Sequence, residues 1–240
     1  MTATMSPAMP PRLTRGHLAR LQQSRVYDFL TRLPMLGWAS LLAMASIGDL
    51  VRFVGTADPA VPVAVYAINI ATRLSTIAFL ILLVTTVVLR ARPTGKARGV
   101  EPRVSAVIGT CLVSAIVLFP RSELSFAAEI VSTLLILTGN ALAVLALGRL
   151  GRSFSVMAEA RRLVTSGAYR IIRHPLYLAE MTAVIGVLMQ FLSCWTALLF
   201  AAQVAVQFRR MRNEEVVLTE VFPEYMAYKQ RTARLIPGIY

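Results

Sequence analysis

Long apolar stretches alternate with short basic ones along most of this chain. Four apolar runs occur before residue 150, at 35–54, 63–89, 104–119 and 126–147. About 20 apolar residues are needed for a helix to cross the hydrocarbon core of a bilayer. The third run is short and stops at Pro120, whereas the second exceeds that length. The pattern predicts that residues 35–147 form membrane-spanning anchor helices.

Two shorter apolar runs follow, at 176–190 and 194–208, separated by a polar interruption around Ser193. Each is marginal in length for a full crossing. They predict a tilted or partly re-entrant helical hairpin over 176–208. The predicted fold class is all-α, a polytopic integral membrane helical bundle of five to six transmembrane segments.

Composition supports a membrane protein over a soluble one. The chain has 240 residues, of which 56% are hydrophobic and 15% are charged; soluble domains carry about 25% charged residues. The net charge of +13 comes largely from arginines between the apolar runs, where positive-inside topology places them. We therefore expect no nucleic-acid partner. We expect a bacterial inner-membrane protein with both termini and the active site in the cytoplasm.

The N-terminal segment, residues 1–34, is basic and contains no apolar run. Residues 1–11 are rich in Pro and Met and are expected to be disordered. Residues 12–32 interleave five arginines with apolar residues, a pattern typical of an amphipathic helix at an anionic membrane surface. Because the first apolar run begins about 34 residues in, we expect an anchor and not a cleaved signal.

Charged residues inside apolar runs are costly in a membrane and need individual interpretations. Those near the ends of runs are expected at the interface: Asp49, Arg52 and Glu129. For Arg73, snorkelling or interfacial placement is favoured over catalysis. Glu180 lies three residues after Tyr177, on the same side of a helix. A site-lining role for Glu180 is a hypothesis beside the simpler structural one.

The first polar cluster is LVTSGAYRIIRHPLYL, residues 163–178. Ser166-Gly167 predicts a turn, and Pro175 fits the first turn of a new helix. Such a helix start presents free N–H groups and a positive dipole end to a carboxylate or another polar ligand. Tyr169, His174 and Tyr177 add hydrogen-bonding groups. An ordinary basic loop with interfacial tyrosines fits the same spacing.

The second polar cluster is FRRMRNEE, residues 208–215, where Arg210 and Glu214 are i,i+4 and share one helix face. They could form a salt-bridged interfacial helix. Alternatively, Glu214 could face a cationic ligand and Arg210 an acidic one. The intervening hairpin would return this cluster beside the first, so residues 148–240 are predicted to form one cofactor-binding region on the cytoplasmic side.

Other common chemistries lack their motifs. The two histidines, His17 and His174, are far apart and no HExxH motif occurs, so we expect no metal site. The two cysteines, Cys111 and Cys194, lie inside apolar runs and allow no disulfide framework. The sequence also has no GxSxG, GxxxxGK[ST] or GxGxxG motif.

Three separated motifs resemble one known family: LVTSGAYRIIRHPLYL, then RRMRNEE, then FPEYMAYKQRTARLIP. In this order they resemble the C-terminal half of the isoprenylcysteine carboxyl methyltransferases and their prokaryotic relatives, over about 148–237. That family shares its membrane fold with the phospholipid N-methyltransferases. The chain departs from the pattern at Glu180, where related motifs often have a small residue. It also departs in the length of the link from Glu215 to Tyr225.

The resemblance implies an S-adenosylmethionine pocket built without a Rossmann domain. Carried over by position, it implies cofactor contacts at Leu163, Val164, Tyr169, His174, Pro175 and Tyr177. It further implies that Glu214 closes the site and that Arg210 faces the substrate, with both as the catalytic pair.

We therefore expect an integral membrane S-adenosylmethionine-dependent methyltransferase that acts on a lipophilic small-molecule or lipid-modified substrate among membrane lipids. The acceptor could be an isoprenylcysteine-like carboxylate, a thiol or a lipid headgroup. A membrane NADPH-dependent reductase of the sterol-reductase type is an alternative, with Arg161, Arg162 and Arg173 available for the extra phosphate. A non-enzymatic membrane protein or a transporter is another.

Overall fold

The computed structural model describes residues 29–239, except 31, 57, 58 and 60. The predicted amphipathic helix at 12–32 lies almost entirely outside the described residues.

The described part of the chain is helical, which confirms the predicted all-α class. Its α-helices are α1 (Leu33–Gly55), α2 (Val63–Leu89), α3 (Glu101–Cys111), α4 (Phe126–Leu150), α5 (Pro175–Gln190), α6 (Cys194–Val221) and α7 (Tyr225–Arg231). Short 3₁₀ helices lie at Val113–Leu118, Gly151–Ser153 and Gly167–Arg170. Two-residue strands, β1 (Gly95–Lys96) and β2 (Glu159–Ala160), pair in antiparallel fashion.

Four helices are long and apolar enough to cross a membrane: Leu33–Gly55, Val63–Leu89, Glu101–Leu118 and Phe126–Ser153. The third combines α3 with the 3₁₀ helix that follows it. These helices lie within a few residues of the four predicted runs. Helix α5 is apolar but shorter, and with the first half of α6 it corresponds to the hairpin predicted over 176–208.

Local sequence explains where several helices begin. Pro175 is the first residue of α5, a position where its missing N–H costs nothing. The polar interruption at Ser193 is the start of α6, because Ser193 and Thr196 form a reciprocal capping box. Helix α6 then continues without a break past Arg210 to Val221. The continuous helix predicted to carry Arg210 and Glu214 is confirmed.

Helices α4 and α5 pack closely through small residues. A Cβ on Gly139 would lie 2.4 Å from the backbone nitrogen of Ala183, so the two backbones leave no room for a side chain there. The Ser132 hydroxyl donates to the Gly186 carbonyl at 2.8 Å across the same interface. On its other side α4 meets α2, where the Asn140 amide donates to the Thr76 hydroxyl at 2.7 Å. Small residues and interhelical hydrogen bonds are the usual basis of helix packing in membranes.

One end of the bundle carries most of the irregular backbone. Where α2 ends, the Ala91 N–H donates to the Arg152 carbonyl at 2.8 Å, and the Thr94 N–H donates to Ala160 at 2.8 Å. These bonds gather the β1–β2 sheet beside the end of α4; we call this the polar end. At the opposite end Arg73 pairs with Asp49 at 3.0 Å. Its guanidinium also lies 3.9 Å from the Phe53 ring centroid.

Candidate active site

The C-terminal tail runs alongside the first polar cluster. The Arg173 N–H donates to the Ala233 carbonyl at 2.8 Å, and the His174 N–H donates to the Arg234 carbonyl at 3.1 Å. Ile172 and Ala233 form an isolated parallel bridge. These backbone bonds bring the third motif of the sequence against the first, immediately before α5 begins.

Glu215 joins all three motifs through one buried carboxylate. Its oxygens lie 2.9 Å from Arg173 Nε, 2.6 Å from Arg234 Nη2, 3.2 Å from His174 Nε2 and 3.6 Å from Lys229 Nζ. We call these five residues the clamp. Arg173 also donates to the carbonyls of Thr232 and Lys229.

Glu215 is only 3% exposed. Burial by itself would raise the pKa of this carboxyl, but the hydrogen bonds from His174 and Arg234 outweigh burial and hold the pKa far below its usual range. Glu215 is therefore an ionised residue at the centre of the folded C-terminal region.

Glu214, the preceding residue, has a different environment. The Tyr177 hydroxyl donates a hydrogen bond to its Oε1, and its Oε2 lies 3.9 Å from His174 Nδ1. Burial raises the pKa of Glu214, against the opposing effects of His174 and Arg210. Its side chain retains 24% of its exposure and lines an internal cavity.

The cavity has a volume of about 440 Å³ and runs from the polar end into the helix bundle. That volume lies within the range of small-molecule sites, which are mostly apolar with a few convergent polar groups. Its polar part is lined by Tyr169, His174, Tyr177, Glu214, Tyr225 and Tyr228. Its apolar part is lined by Met35, Trp38, Leu42, Phe79, Val184 and Val187. One continuous space therefore joins polar side chains at the polar end to an apolar wall between the helices.

Helix α6 presents a row of polar residues to this cavity: Gln203, Gln207, Arg210 and Glu214. Their spacing of i, i+4, i+7 and i+11 places them on one helix face, which we call the cavity face. Gln203 donates to the Gly109 carbonyl of α3 at 3.0 Å. Arg210 donates to Gln207 Oε1 at 3.2 Å and to the Val156 carbonyl at 3.3 Å. Its guanidinium carbon also lies 5.1 Å from the Tyr177 ring centroid.

Close packing at α3 confines Arg210. A Cβ on Gly109 would lie 2.8 Å from Arg210 Cδ, so any larger residue there would push the arginine out of place. The sequence gives no local reason for a glycine at this position. Glycine is required at position 109 because α3 packs closely against α6.

Buried polar atoms of the lining that have no hydrogen-bond partner among the described residues include Gln203 Oε1, Arg210 Nε and Tyr225 Oη. Buried polar atoms are normally paired, because leaving one unpaired costs about 1–3 kcal/mol. Tyr225 is 1% exposed, and burial raises the pKa of its hydroxyl, so it remains a neutral donor. The chemistry of this donor and acceptor set fits a polar organic ligand.

The structure brings most of the predicted site residues together. Leu163, Val164, Tyr169, His174, Tyr177, Arg210 and Glu214 all line the cavity. Pro175 is buried at the first turn of α5 and is not among the lining residues. It fixes the direction of the helix start, while His174 and Tyr177 on either side of it reach the cavity.

Sequence reasoning missed Gln203 and Gln207, because they lie in an apolar run where they appear as isolated polar residues. Their spacing to Arg210 and Glu214 was the available signal. Glu180, for which site lining was one of two interpretations, lies in the cavity. It accepts a hydrogen bond from Gln207 Nε2 at 3.1 Å.

Two of the arginines considered for a nucleotide phosphate are engaged within the protein. Arg161 is buried, pairs with Glu159 at 2.7 Å and donates to the Ala91 carbonyl at 2.6 Å. Arg173 belongs to the clamp. In the described part of the chain, no group of three or more His, Cys, Asp or Glu residues is placed to hold a metal ion.

The long apolar helices indicate an integral membrane protein, and the cavity at the polar end is a candidate small-molecule site. Residues 131–220, which span most of α4 through α6, match the family model of the isoprenylcysteine carboxyl methyltransferase (ICMT) family. This match confirms the resemblance predicted from the sequence for this part of the chain.

Two curated proteins are similar over part of their length. The nickel-cobalt-cadmium resistance protein NccN of Alcaligenes xylosoxydans xylosoxydans is 30% identical over 82 residues, which cover 34% of this chain and 38% of NccN. The cobalt-zinc-cadmium resistance protein CzcN of Cupriavidus metallidurans is 32% identical over 78 residues, covering 32% of this chain and 36% of CzcN. The matched segment thus spans little more than a third of each relative.

Proposed function

We propose that this protein is an integral membrane S-adenosylmethionine-dependent methyltransferase that acts on a lipophilic acceptor. The observation that carries the proposal is the single cavity, with Glu214, His174 and the tyrosines at one end and an apolar wall at the other. Such a cavity suits a polar methyl donor and an apolar acceptor that meet inside the bundle. A family match over α4 to α6 supports the same class.

The residues present fit the proposed cofactor. S-adenosylmethionine carries a sulfonium, an ammonium and a carboxylate, and it would supply an electrophilic methyl group when bound. The Glu214 carboxylate suits a positive centre, and the unpaired Tyr225 hydroxyl can donate to a carboxylate or a ring nitrogen. The start of α5 after His174 adds backbone N–H groups and the positive end of the helix dipole. We assign Leu163, Val164 and Tyr169 to the same subsite.

On the acceptor side, Arg210 would orient the reacting head group. Its guanidinium is held by Gln207, by the Val156 carbonyl and by the Tyr177 ring, while its Nε remains unpaired among the described residues. Methyl transfer between two bound partners depends mainly on alignment and exclusion of water. The buried cavity supplies both. Residues 148–240 would then form the cofactor-binding region, with the polar end facing the cytoplasm.

The reductase alternative is less favoured. It needs arginines to bind the 2′-phosphate of NADPH. Arg161 and Arg173 already pair with Glu159 and Glu215, which leaves Arg162 of the three for this role.

The test is calorimetric titration of detergent-purified protein with S-adenosylhomocysteine and, separately, with NADPH. We expect S-adenosylhomocysteine to bind and Glu214→Gln to weaken it about 10- to 100-fold, the usual value of a hydrogen bond to a charged group. The matched control, Glu220→Gln, changes an exposed glutamate of the same helix and should bind like wild type. Binding of NADPH alone would transfer the protein to the reductase class, and binding of neither would refute the proposal.

A further inference from the structure

Glu180 and Arg210 lie on facing helices near the middle of the cavity but are not joined as an ion pair. Gln207 separates them, since its Oε1 accepts from Arg210 Nη1 at 3.2 Å and its Nε2 donates to Glu180 Oε2 at 3.1 Å. Gln207 is 2% exposed, and this orientation gives both ends of its amide a hydrogen-bond partner. The cavity therefore presents a carboxylate and a guanidinium on either side of the Gln207 amide.

The position of Glu180 along α5 places it between the two parts of the cavity. Tyr177, one turn earlier, belongs to the polar part, whereas Val184 and Val187, one and two turns later, belong to the apolar part. An acceptor whose apolar tail occupies the space beside Val184 and Val187 would bring its head group to Glu180. Glu180 thus marks the boundary where tail ends and reacting head begins.

A head group at this boundary meets one hydrogen-bond acceptor and one donor. The carboxylate of Glu180 can only accept when ionised, and the guanidinium of Arg210 can only donate. A hydroxyl, thiol or neutral amine can donate to the first and accept from the second. A carboxylate head could accept from Arg210 but would place its negative charge next to Glu180, with Glu214 also nearby in the same cavity. Like charges in a poorly solvated site repel strongly.

We propose that Glu180 selects an acceptor whose reacting head carries a hydrogen, a hydroxyl, thiol or amine on an apolar tail, and that it takes up this hydrogen as a proton. This inference rests on the proposed function. In the reaction the lone pair of the head atom forms a bond to the methyl carbon, while the methyl–sulfur bond breaks and its electron pair stays on sulfur. The sulfonium charge is thereby neutralised, and the proton of the head group passes to the Glu180 carboxylate.

The test uses two probes with the same tail and different heads, 11-bromo-1-undecanol and 11-bromoundecanoate. Bromine quenches tryptophan fluorescence at close range, and Trp38 lines the cavity. The chain has two tryptophans, so the full chain is made in a Trp195→Phe background and placed in phosphatidylcholine nanodiscs at pH 8. Quenching of Trp38 is titrated with and without S-adenosylhomocysteine.

We expect the alcohol to bind at least about 10-fold more tightly than the carboxylate. Glu180→Gln keeps the shape of the side chain and its hydrogen bond from Gln207 but removes the charge. It should strengthen carboxylate binding at least about 10-fold and so reverse or abolish the preference. Glu129→Gln, which changes an exposed glutamate of α4, should preserve the wild-type ratio.

Two results would overturn the inference: a carboxylate preference in the wild type, or the same alcohol-to-carboxylate ratio in Glu180→Gln. Calorimetric binding of S-adenosylhomocysteine is measured on the same preparations. If it binds while the ratio is insensitive to Glu180, the proposed function stands and the acceptor assignment fails. If it does not bind, the proposed function fails, and the head-group ratio without it still tests Glu180.

Discussion

Two faces of α6 carry adjacent glutamates in opposite situations. On the cavity face, Glu214 receives a hydrogen bond from Tyr177, and polar atoms of Gln203 and Arg210 lack partners among the described residues. In the clamp, Glu215 is surrounded by Arg173, Arg234, His174 and Lys229. A helix turns about 100° per residue, so neighbouring positions face different surroundings. Buried polar groups whose hydrogen bonds and ion pairs are all made within the protein, as at Glu215, have a structural role. Buried polar groups that lack partners, as on the cavity face, are available to a ligand.

The clamp explains how motifs far apart in sequence form one site. Arg173 and His174 come from the first polar cluster, Glu215 from the second, and Lys229 and Arg234 from the tail. Because Glu215 holds all of them, the residue next to it is positioned against His174 and Tyr177. The cavity face therefore depends on the clamp for its geometry.

The largest expected effect follows from breaking the clamp. Glu215→Gln leaves several buried or partly buried cations without their carboxylate, and removal of one partner from a buried ion network costs about 3–5 kcal/mol. We expect the free energy of unfolding to fall by that amount, measured by thermal or denaturant unfolding in detergent. Glu220→Gln, at an exposed position of the same helix, is the control and should change stability little. Unfolding of Glu215→Gln at the wild-type midpoint would contradict the role given to the clamp.

Acid should weaken the clamp in the wild type. The pKa of Glu215 is lowered in the folded protein from its ordinary value of 4.5, so the folded state holds this proton less tightly than the unfolded one. Its stabilisation is therefore complete above about pH 4.5 and declines as the pH falls below that value. A carboxyl whose pKa is lowered in this way contributes on the order of 2 kcal/mol to the free energy of unfolding.

The measurement is unfolding free energy at pH 6 and pH 3 for wild type and Glu215→Gln. We expect the wild type to lose about 2 kcal/mol more than the variant over this interval. Equal losses in the two proteins would show that Glu215 is not the group responsible.

Substitution of Glu214 on the cavity face should affect stability in the opposite direction to substitution of Glu215. Burial raises the pKa of Glu214, which means that its charge is costly in the folded state. Glu214→Gln removes this cost and can still accept from Tyr177, so we expect stability to be unchanged or to rise by up to about 1 kcal/mol, as substitutions at functional sites often do. The unfolding midpoints of Glu214→Gln and Glu215→Gln should be measured together, so that the stability effects of the two substitutions can be compared directly. A loss of stability in Glu214→Gln similar to that in Glu215→Gln would remove the distinction between the two glutamates.

The smallest effect is expected at the other end of the bundle. Asp49 pairs with Arg73 at 3.0 Å, and its side chain is 53% exposed in the protein. Asp49 is expected at the membrane interface, where an ion pair in contact with water contributes little to stability. Asp49→Asn should change the free energy of unfolding by at most about 0.5 kcal/mol and leave S-adenosylhomocysteine affinity at the wild-type value. A marked loss of affinity would mean that this pair is coupled to the cavity.

Much of the fold could be predicted because hydrophobic run length is a local property. The run at 63–89 coincides with α2, and the interruption at Ser193 coincides with a helix start. The shared face of Arg210 and Glu214 follows from helix geometry alone. The break between α3 and its 3₁₀ extension at Leu112 was not predicted, because nothing in the apolar run 104–119 marks it.

What the sequence could not provide is pairing between distant segments. The partnership of Glu215 with Arg234, the pairing of Gly95 with Ala160 and the approach of Gly109 to Arg210 all depend on how the helices pack. Arg173 illustrates the limit. Its charge fits a phosphate-binding role in the sequence, but in the fold that charge is held by Glu215.

Hydrogen–deuterium exchange with and without S-adenosylhomocysteine tests directly whether the cavity beside the clamp holds the cofactor. Exchange reports local opening of backbone hydrogen bonds. We expect slower exchange in residues 163–177 and 225–228 on binding, with no change in 33–55. The proposed cofactor position would be contradicted if saturating S-adenosylhomocysteine left residues 163–177 and 225–228 unprotected, or if it protected other segments instead.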